Sequence, residues 1–166
     1  ARHRADLFIK RSLQGEFALW ISNNEAELAG LNERLTQTLL KRSLALWNAH
    51  GTEKPSGFIP PIWFGNKYLK NLALDIFDYY EDYHGIYQKT ENGIKKTKSR
   101  PLSFSIYPPA MLGIVQTYAC LRMLLPGGTH RLVFHDKDFR TIGEKRILNM
   151  VRYVSTMREK IMYRDL

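Results

Sequence analysis

KKTKSRPLSFSIYPPAMLGIVQTYACLRML, residues Lys95 to Leu124, joins a cationic run, an alternating run and a proline-started run of helical spacing. Four cations stand in its first six residues: Lys95, Lys96, Lys98 and Arg100. Leu102-Ser103-Phe104-Ser105-Ile106 then alternates apolar and hydroxylated side chains, which is the period of a half-buried strand. Pro108-Pro109 follows and opens a run with helical spacing to Leu124, since proline is tolerated in the first turn of a helix.

A two-stranded antiparallel ribbon fits the major groove of duplex DNA. In such a ribbon Leu102, Phe104 and Ile106 would hold the strand to a helical layer. Ser103 and Ser105 would face base edges. Lys98 and Arg100 would contact phosphates or guanine at the strand entrance, and Lys95 and Lys96 would hold the backbone. One strand cannot make a ribbon alone, so this reading predicts a homodimer paired across residues 102–106.

Working outward, Ala5 to Trp20 mixes strand and helix cues, and the expectation is a strand at about 6–12 leading into a short helix. Asn24 and Glu27 have the spacing of a capping box for a long helix that ends at Gly51. Ala26, Leu28, Leu31, Leu35, Leu39 and Leu46 form its apolar stripe. Thr52 to Pro61 carries three prolines and a glycine and reads as a connector docked on the core. Asn66 to Tyr87 is predicted as a second long helix, with Leu69, Leu72, Ala73, Ile76, Phe77, Tyr80 and Tyr87 on one side. Glu91-Asn92-Gly93 is a turn signal. Pro126-Gly127-Gly128 breaks the chain again, and His130 to Phe134 is a short strand or an apolar loop. Thr141 and Glu144 box the start of a terminal helix that turns Ile147, Met150, Val151, Val154, Met157 and Ile161 inward. Its other face carries Lys145, Arg146, Arg152, Arg158 and Lys160.

At 166 residues, 44% hydrophobic and 25% charged, the chain has the composition of a folded protein with one core. Its net charge of +9 favours a polyanionic partner. The expectation is a single domain, 1–166, in three parts. These are a strand and helix arm (1–51), a Pro-rich connector with the second helix (52–94), and a DNA-binding part (95–166). The single cysteine, Cys120, reads as a buried structural thiol. No apolar run reaches the roughly 20 residues of a membrane helix. The first residues, ARHRADLF, lack a signal-peptide apolar segment and a starting Met, so the numbering is expected to begin inside a longer protein or after processing.

No phosphate-binding glycine loop and no H-E-x-x-H pattern occurs. Glu81-x-x-His84 matches half of a di-iron helix motif, but a solvated acidic face made by Asp75, Asp78, Glu81 and Asp82 explains it better. His130, His135, Asp136 and Asp138 contain the makings of a metal site or a general base, yet helix capping by Asp136 or Asp138 accounts for the carboxylates. No catalytic residue, metal or cofactor is therefore assigned.

The strand Pro101 to Ile106, the proline-started helix Pro108 to Leu124 and a second helix within Thr141 to Arg164 resemble the ribbon-helix-helix DNA-binding regulators. More faintly, the chain is similar to regulators carried by conjugative plasmids and integrating conjugative elements. The resemblance implies a predominantly helical α+β fold, a ribbon-helix-helix-like strand and two helices with an N-terminal helical extension. It further implies a cytoplasmic, non-enzymatic, homodimeric transcriptional regulator that binds double-stranded DNA, with Ser103 and Ser105 reading bases beside Lys98 and Arg100, and with no small-molecule substrate. A basic non-catalytic subunit of a large assembly, such as a mitochondrial complex or ribosome, is the alternative.

Overall fold

The computed structural model describes residues 28–51, 53–104, 109–125, 128–163 and 166. Contacts divide the chain into two compact units, residues 1–96 and 97–166. The strand expected at about 6–12 and the Asn24/Glu27 capping box lie outside the described residues.

In the first unit, helix α1 runs Glu33–Ala49. Gly30, at φ +75°, turns the chain before it, so Leu28 and Leu31 sit in the approach rather than in the expected stripe. Asn32 is the N-cap, and its side chain accepts from Leu35 N at 2.9 Å. The helix buries Thr36 and Leu40, while Leu46 is exposed. Thr36 is tied to Asn66, whose side-chain amide donates to Thr36 Oγ1 at 2.8 Å and to Leu28 O at 2.9 Å. The same Asn66 accepts from Tyr68 N and Leu69 N, which fixes the start of α2, Leu69–Leu74.

The second long helix predicted over Asn66 to Tyr87 is not formed. After α2 the chain makes β2, Tyr79–Asp82, and β3, Gly85–Thr90, which pair antiparallel, while β1, Gly57–Phe58, pairs parallel with β2. Asp82 accepts from His84 N and Gly85 N and so closes the tight β2–β3 turn. The helical spacing misled because Tyr80 and Tyr87 stand directly opposite each other in the ladder. They share one apolar cluster with Leu40, Leu69, Ala73, Leu74 and Phe77. Phe58 stacks on Phe77 and Tyr80, with centroids at 5.6 and 6.5 Å. Gly57 is required there, since a Cβ would fall 1.8 Å from the Tyr79 ring.

β3 turns through Glu91-Asn92-Gly93, with Gly93 at φ +113°, into β4, Gly93–Ser103. In the second unit the end of β4 pairs in parallel with β5, Thr129–Val133. A 3-10 turn, Pro109–Met111, leads into α3, Leu112–Leu124. Asp136–Asp138 is a single helical turn, and a π turn, Phe139–Gly143, passes into α4, Glu144–Met157. The core packs Phe104, Ala119, Ile142, Ile147 and Met150 together, with Leu102, Val115, Leu132 and Phe134 against them. Phe104 and Phe134 stack at 5.3 Å.

The ribbon-helix-helix-like fold is therefore overturned. The described residues form five strands with both parallel and antiparallel neighbours, plus α1 to α4. Residues 99–103 already pair with Thr129–Val133 of their own chain, in parallel. A two-fold ribbon needs antiparallel pairing with another copy. The terminal helix also starts differently: Thr141 Oγ1 donates to Lys137 O, and the capping box is formed by His135 and Asp138. Of its predicted inward residues Ile147 and Met150 are buried, while Val151, Met157 and Ile161 are exposed.

A candidate polyanion-binding edge in the second unit

Charge is unevenly placed along the sequence. Residues 97–166 hold twelve Lys and Arg against five Asp and Glu, a net +7, whereas residues 1–96 hold thirteen against eleven, a net +2. The cationic excess belongs to the unit built on the end of β4, α3, β5 and α4.

The expected contact residues are not all brought together. Lys95 and Lys96 are exposed in the first unit, and Lys96 Nζ lies 5.2 Å from the Tyr87 ring centre, which Lys70 Nζ also approaches at 4.9 Å. Lys98 and Arg100 are exposed in the second unit, two apart on β4 and so on one face. Ser103 is 7% exposed and paired to Val133, so it cannot face a base edge. Ser105 lies outside the described residues.

Ser99, one register step from Arg100, shows what the buried hydroxyls of β4 do. Arg131 is itself buried on β5; its Nε donates to Ser99 Oγ at 3.1 Å and its Nη2 to Ser99 O. A guanidinium removed from water must be given acceptors, and here the neighbouring strand supplies them. Serine on this strand serves the interior rather than a ligand.

The parallel register sets Arg100 opposite His130. His130 is held below the ordinary imidazole range, first by burial, then by the guanidiniums of Arg158 and Arg122, which oppose its protonation. Arg158 follows the last residue of α4. Its Nε donates to Met123 O at 2.8 Å and its Nη2 to Leu125 O, satisfying carbonyls at the end of α3. Arg122 lies in the last turn of α3, with its guanidinium 6.0 Å from the Tyr118 ring centre. Among the described residues, Arg122 Nε and His130 Nε2 are buried without a hydrogen-bond partner. None of Lys98, Arg100, Arg122, His130 and Arg158 pairs there with a carboxylate.

Lys98 and Arg100 in the second half of β4, His130 on β5 and the two arginines at the ends of α3 and α4 thus form an edge rich in donors and poor in acid. Such an edge attracts phosphate or carboxylate groups by charge and offers the exposed Arg100 fork for bidentate contact. A second exposed set, Lys145, Asn149 and Arg152, recurs at i, i+4 and i+7 along α4.

Sequence reasoning found Lys98 and Arg100 but missed Arg122, His130 and Arg158 as their companions. It grouped His130 with His135, Asp136 and Asp138 instead. The backbone N–H of His135 donates to Asp138 Oδ2 at 2.8 Å within the cap. Glu81 and His84 likewise part company. Glu81 is 2% exposed and takes the indole N–H of Trp63 at 2.7 Å, while His84 is exposed in the β2–β3 turn, so the expected acidic face does not include Glu81. Among the described residues no three His, Cys, Asp or Glu gather to hold a metal. Cys120, expected to be buried, is half-buried on α3. No helix among the described residues is long and apolar enough to cross a membrane. Comparison of the chain with protein-family models, curated proteins and solved structures finds no match.

Proposed function

We propose that the protein binds double-stranded DNA through the cationic edge of its second unit, in a regulatory rather than a catalytic role. The observation that carries this reading is the segregation of charge: +7 of the net +9 falls in residues 97–166. There Lys98 and Arg100 remain exposed beside His130. Base reading by Ser103 is withdrawn, because that side chain is buried. Binding rests instead on phosphate contacts made by Lys98 and Arg100, with Lys145 and Arg152 of α4 as a further set. Phosphate contacts position a protein on a duplex and carry most of the salt dependence of its affinity.

The test is fluorescence anisotropy with duplex DNA, single-stranded DNA and RNA of equal length, across a salt series. With about four phosphates neutralised, log affinity for duplex DNA falls with log salt at a slope of roughly −3.6. Equal or tighter binding to RNA would instead favour a subunit of a ribonucleoprotein assembly. A slope near zero for all three would remove the reading.

A further inference from the structure

Three nitrogen-bearing side chains of the second unit converge where α3 ends, each delivered by a different element. Arg122 stands in the last turn of α3. Arg158, the residue after α4, reaches back to the same helix end, where its Nε donates to Met123 O and its Nη2 to Leu125 O. His130 comes from β5 and lies close enough to both guanidiniums for their charges to oppose its protonation. Successive residues of a strand face opposite ways, so His130 lies on the other side of β5 from Arg131 and its Ser99 acceptors.

Among the described residues this cluster holds more donors than the chain gives it acceptors. Arg158 Nη1 makes no hydrogen bond there once Nε and Nη2 are on carbonyls. Arg122 touches Tyr118 Oη through Nη1 at 3.4 Å, a long and weak contact at the surface, while its Nε is buried without a partner among those residues. His130 Nε2 is likewise buried without a partner among them. Burying an unpaired polar group is costly, and bringing like charges together adds repulsion. One anion with several oxygens relieves both, since each oxygen accepts and the charge offsets the guanidiniums.

We infer that Arg122, His130 and Arg158 together seat one phosphate monoester, each side chain donating to a different terminal oxygen. Three donor side chains match its three terminal oxygens, and its charge of about two matches the two guanidiniums. A carboxylate or an internal strand phosphodiester has fewer free oxygens and a single charge. Access favours the monoester as well. Arg122 Nε and His130 Nε2 are closed to solvent, so a ligand reaches them only as the Arg122 side chain turns away from Tyr118. A terminal phosphate follows it inward end-on, whereas a phosphate with a sugar on either side cannot. The seat is thus distinct from the duplex contacts assigned to Lys98, Arg100, Lys145 and Arg152. Two sources carry this chemistry: the 5′ end of a nucleic-acid strand and a free phosphorylated small molecule.

The experiment is calorimetric titration of the full chain, at fixed ionic strength, with inorganic phosphate and with thymidine 5′-monophosphate, thymidine serving as the uncharged control. Both phosphates are expected to bind saturably with a dissociation constant on the order of 1 mM or below, and thymidine not at all. Arg122→Gln should weaken phosphate binding by about tenfold or more and His130→Asn several-fold, with near-native circular dichroism in both. Lys98→Gln/Arg100→Gln, measured alongside, should lose duplex affinity yet keep saturable phosphate binding. Arg122→Gln should in turn keep salt-dependent binding to a duplex with 5′-hydroxyl ends, so the seat and the duplex reading fail separately. Anisotropy with 5′-phosphorylated and 5′-hydroxyl duplexes separates the two sources. A preference for the phosphorylated end that Arg122→Gln removes assigns the seat to strand ends. Equal affinity for the two duplexes, beside saturable binding of the monophosphate, assigns it to a free small molecule. No saturable binding up to about 20 mM phosphate would overturn the seat, as would binding that neither substitution weakens or thymidine binding as tightly as its monophosphate.

Discussion

The first unit buries Glu81 and the second buries Arg131 and Asp138, and the two differ most in how they carry the rest of their charge. In the first, Glu81 is sealed against the indole of Trp63, and cations and acids along the chain nearly balance. In the second, Arg131 is sealed against Ser99, and the surplus is strongly positive with Lys98 and Arg100 left in water. Burying a charge satisfies the interior only when acceptors or donors are built around it, so Glu81 and Arg131 report on folding. Exposed like charge lowers stability by self-repulsion. That contrast, rather than net charge alone, separates the framework from the proposed contact surface.

The contrast is broken most severely at its cores. Phe104→Ala removes a fully buried ring stacked on Phe134 and should cost about 3–5 kcal/mol in urea unfolding. Glu81→Ala in the first unit should cost about 1–3 kcal/mol, because it leaves the half-buried Trp63 indole N–H without that acceptor. A cost below 1 kcal/mol for either would mean that its surroundings collapse or rehydrate freely.

His130 sharpens the comparison through pH. Its folded-state pKa is lowered, so the unfolded chain binds more protons as pH falls through the ordinary histidine range near 6.5. Stability from this group is present above that range and lost on acidification. The thermal midpoint of wild type should therefore drop more between pH 7.5 and 5.5 than that of His130→Asn. Duplex affinity should move the other way, rising several-fold over the same interval, since a phosphate brought to the edge favours the imidazolium. Identical pH profiles for the two proteins would detach His130 from both effects.

The smallest expected effect lies in the first unit. Ile62 and Trp63 take φ of +51° and +58°, a left-handed conformation that β-branched and bulky side chains avoid. Ile62 is 37% exposed, so truncation gives up burial that offsets part of the relief of strain. Ile62→Gly should be neutral or stabilise by up to about 1 kcal/mol in the same urea assay, where glycine in an ordinary turn position would destabilise.

What the sequence made legible follows from the range of the interactions involved. The Glu91-Asn92-Gly93 turn and the two helices near 112–124 and 144–157 are local and were readable, while His130 to Phe134 read as either a strand or a loop. The pairing of Ser99 to Ser103 with Thr129 to Val133 is not local, since nothing in either run names its partner. That pairing determined which alternate residues of β4 face inward. Expecting Ser103 outside and missing the company of Arg122, His130 and Arg158 were thus a single error about one ladder. The Tyr80–Tyr87 pair misled for a related reason: seven residues is two helical turns, and it is also the span of a tight hairpin. The concentration of cations after residue 96, by contrast, needed only counting.

The most direct measurement sets charge reversal in one unit against charge reversal in the other. Lys98→Glu/Arg100→Glu on β4 and Lys41→Glu/Arg42→Glu on α1 remove equal charge from exposed positions. Duplex-DNA affinity in low salt is predicted to fall about 100-fold for the β4 pair, with the salt slope shallower by about 1.8, and by less than about threefold for the α1 pair. Equal losses for the two pairs, or a greater loss for the α1 pair, would contradict the assignment of the cationic edge as the binding surface.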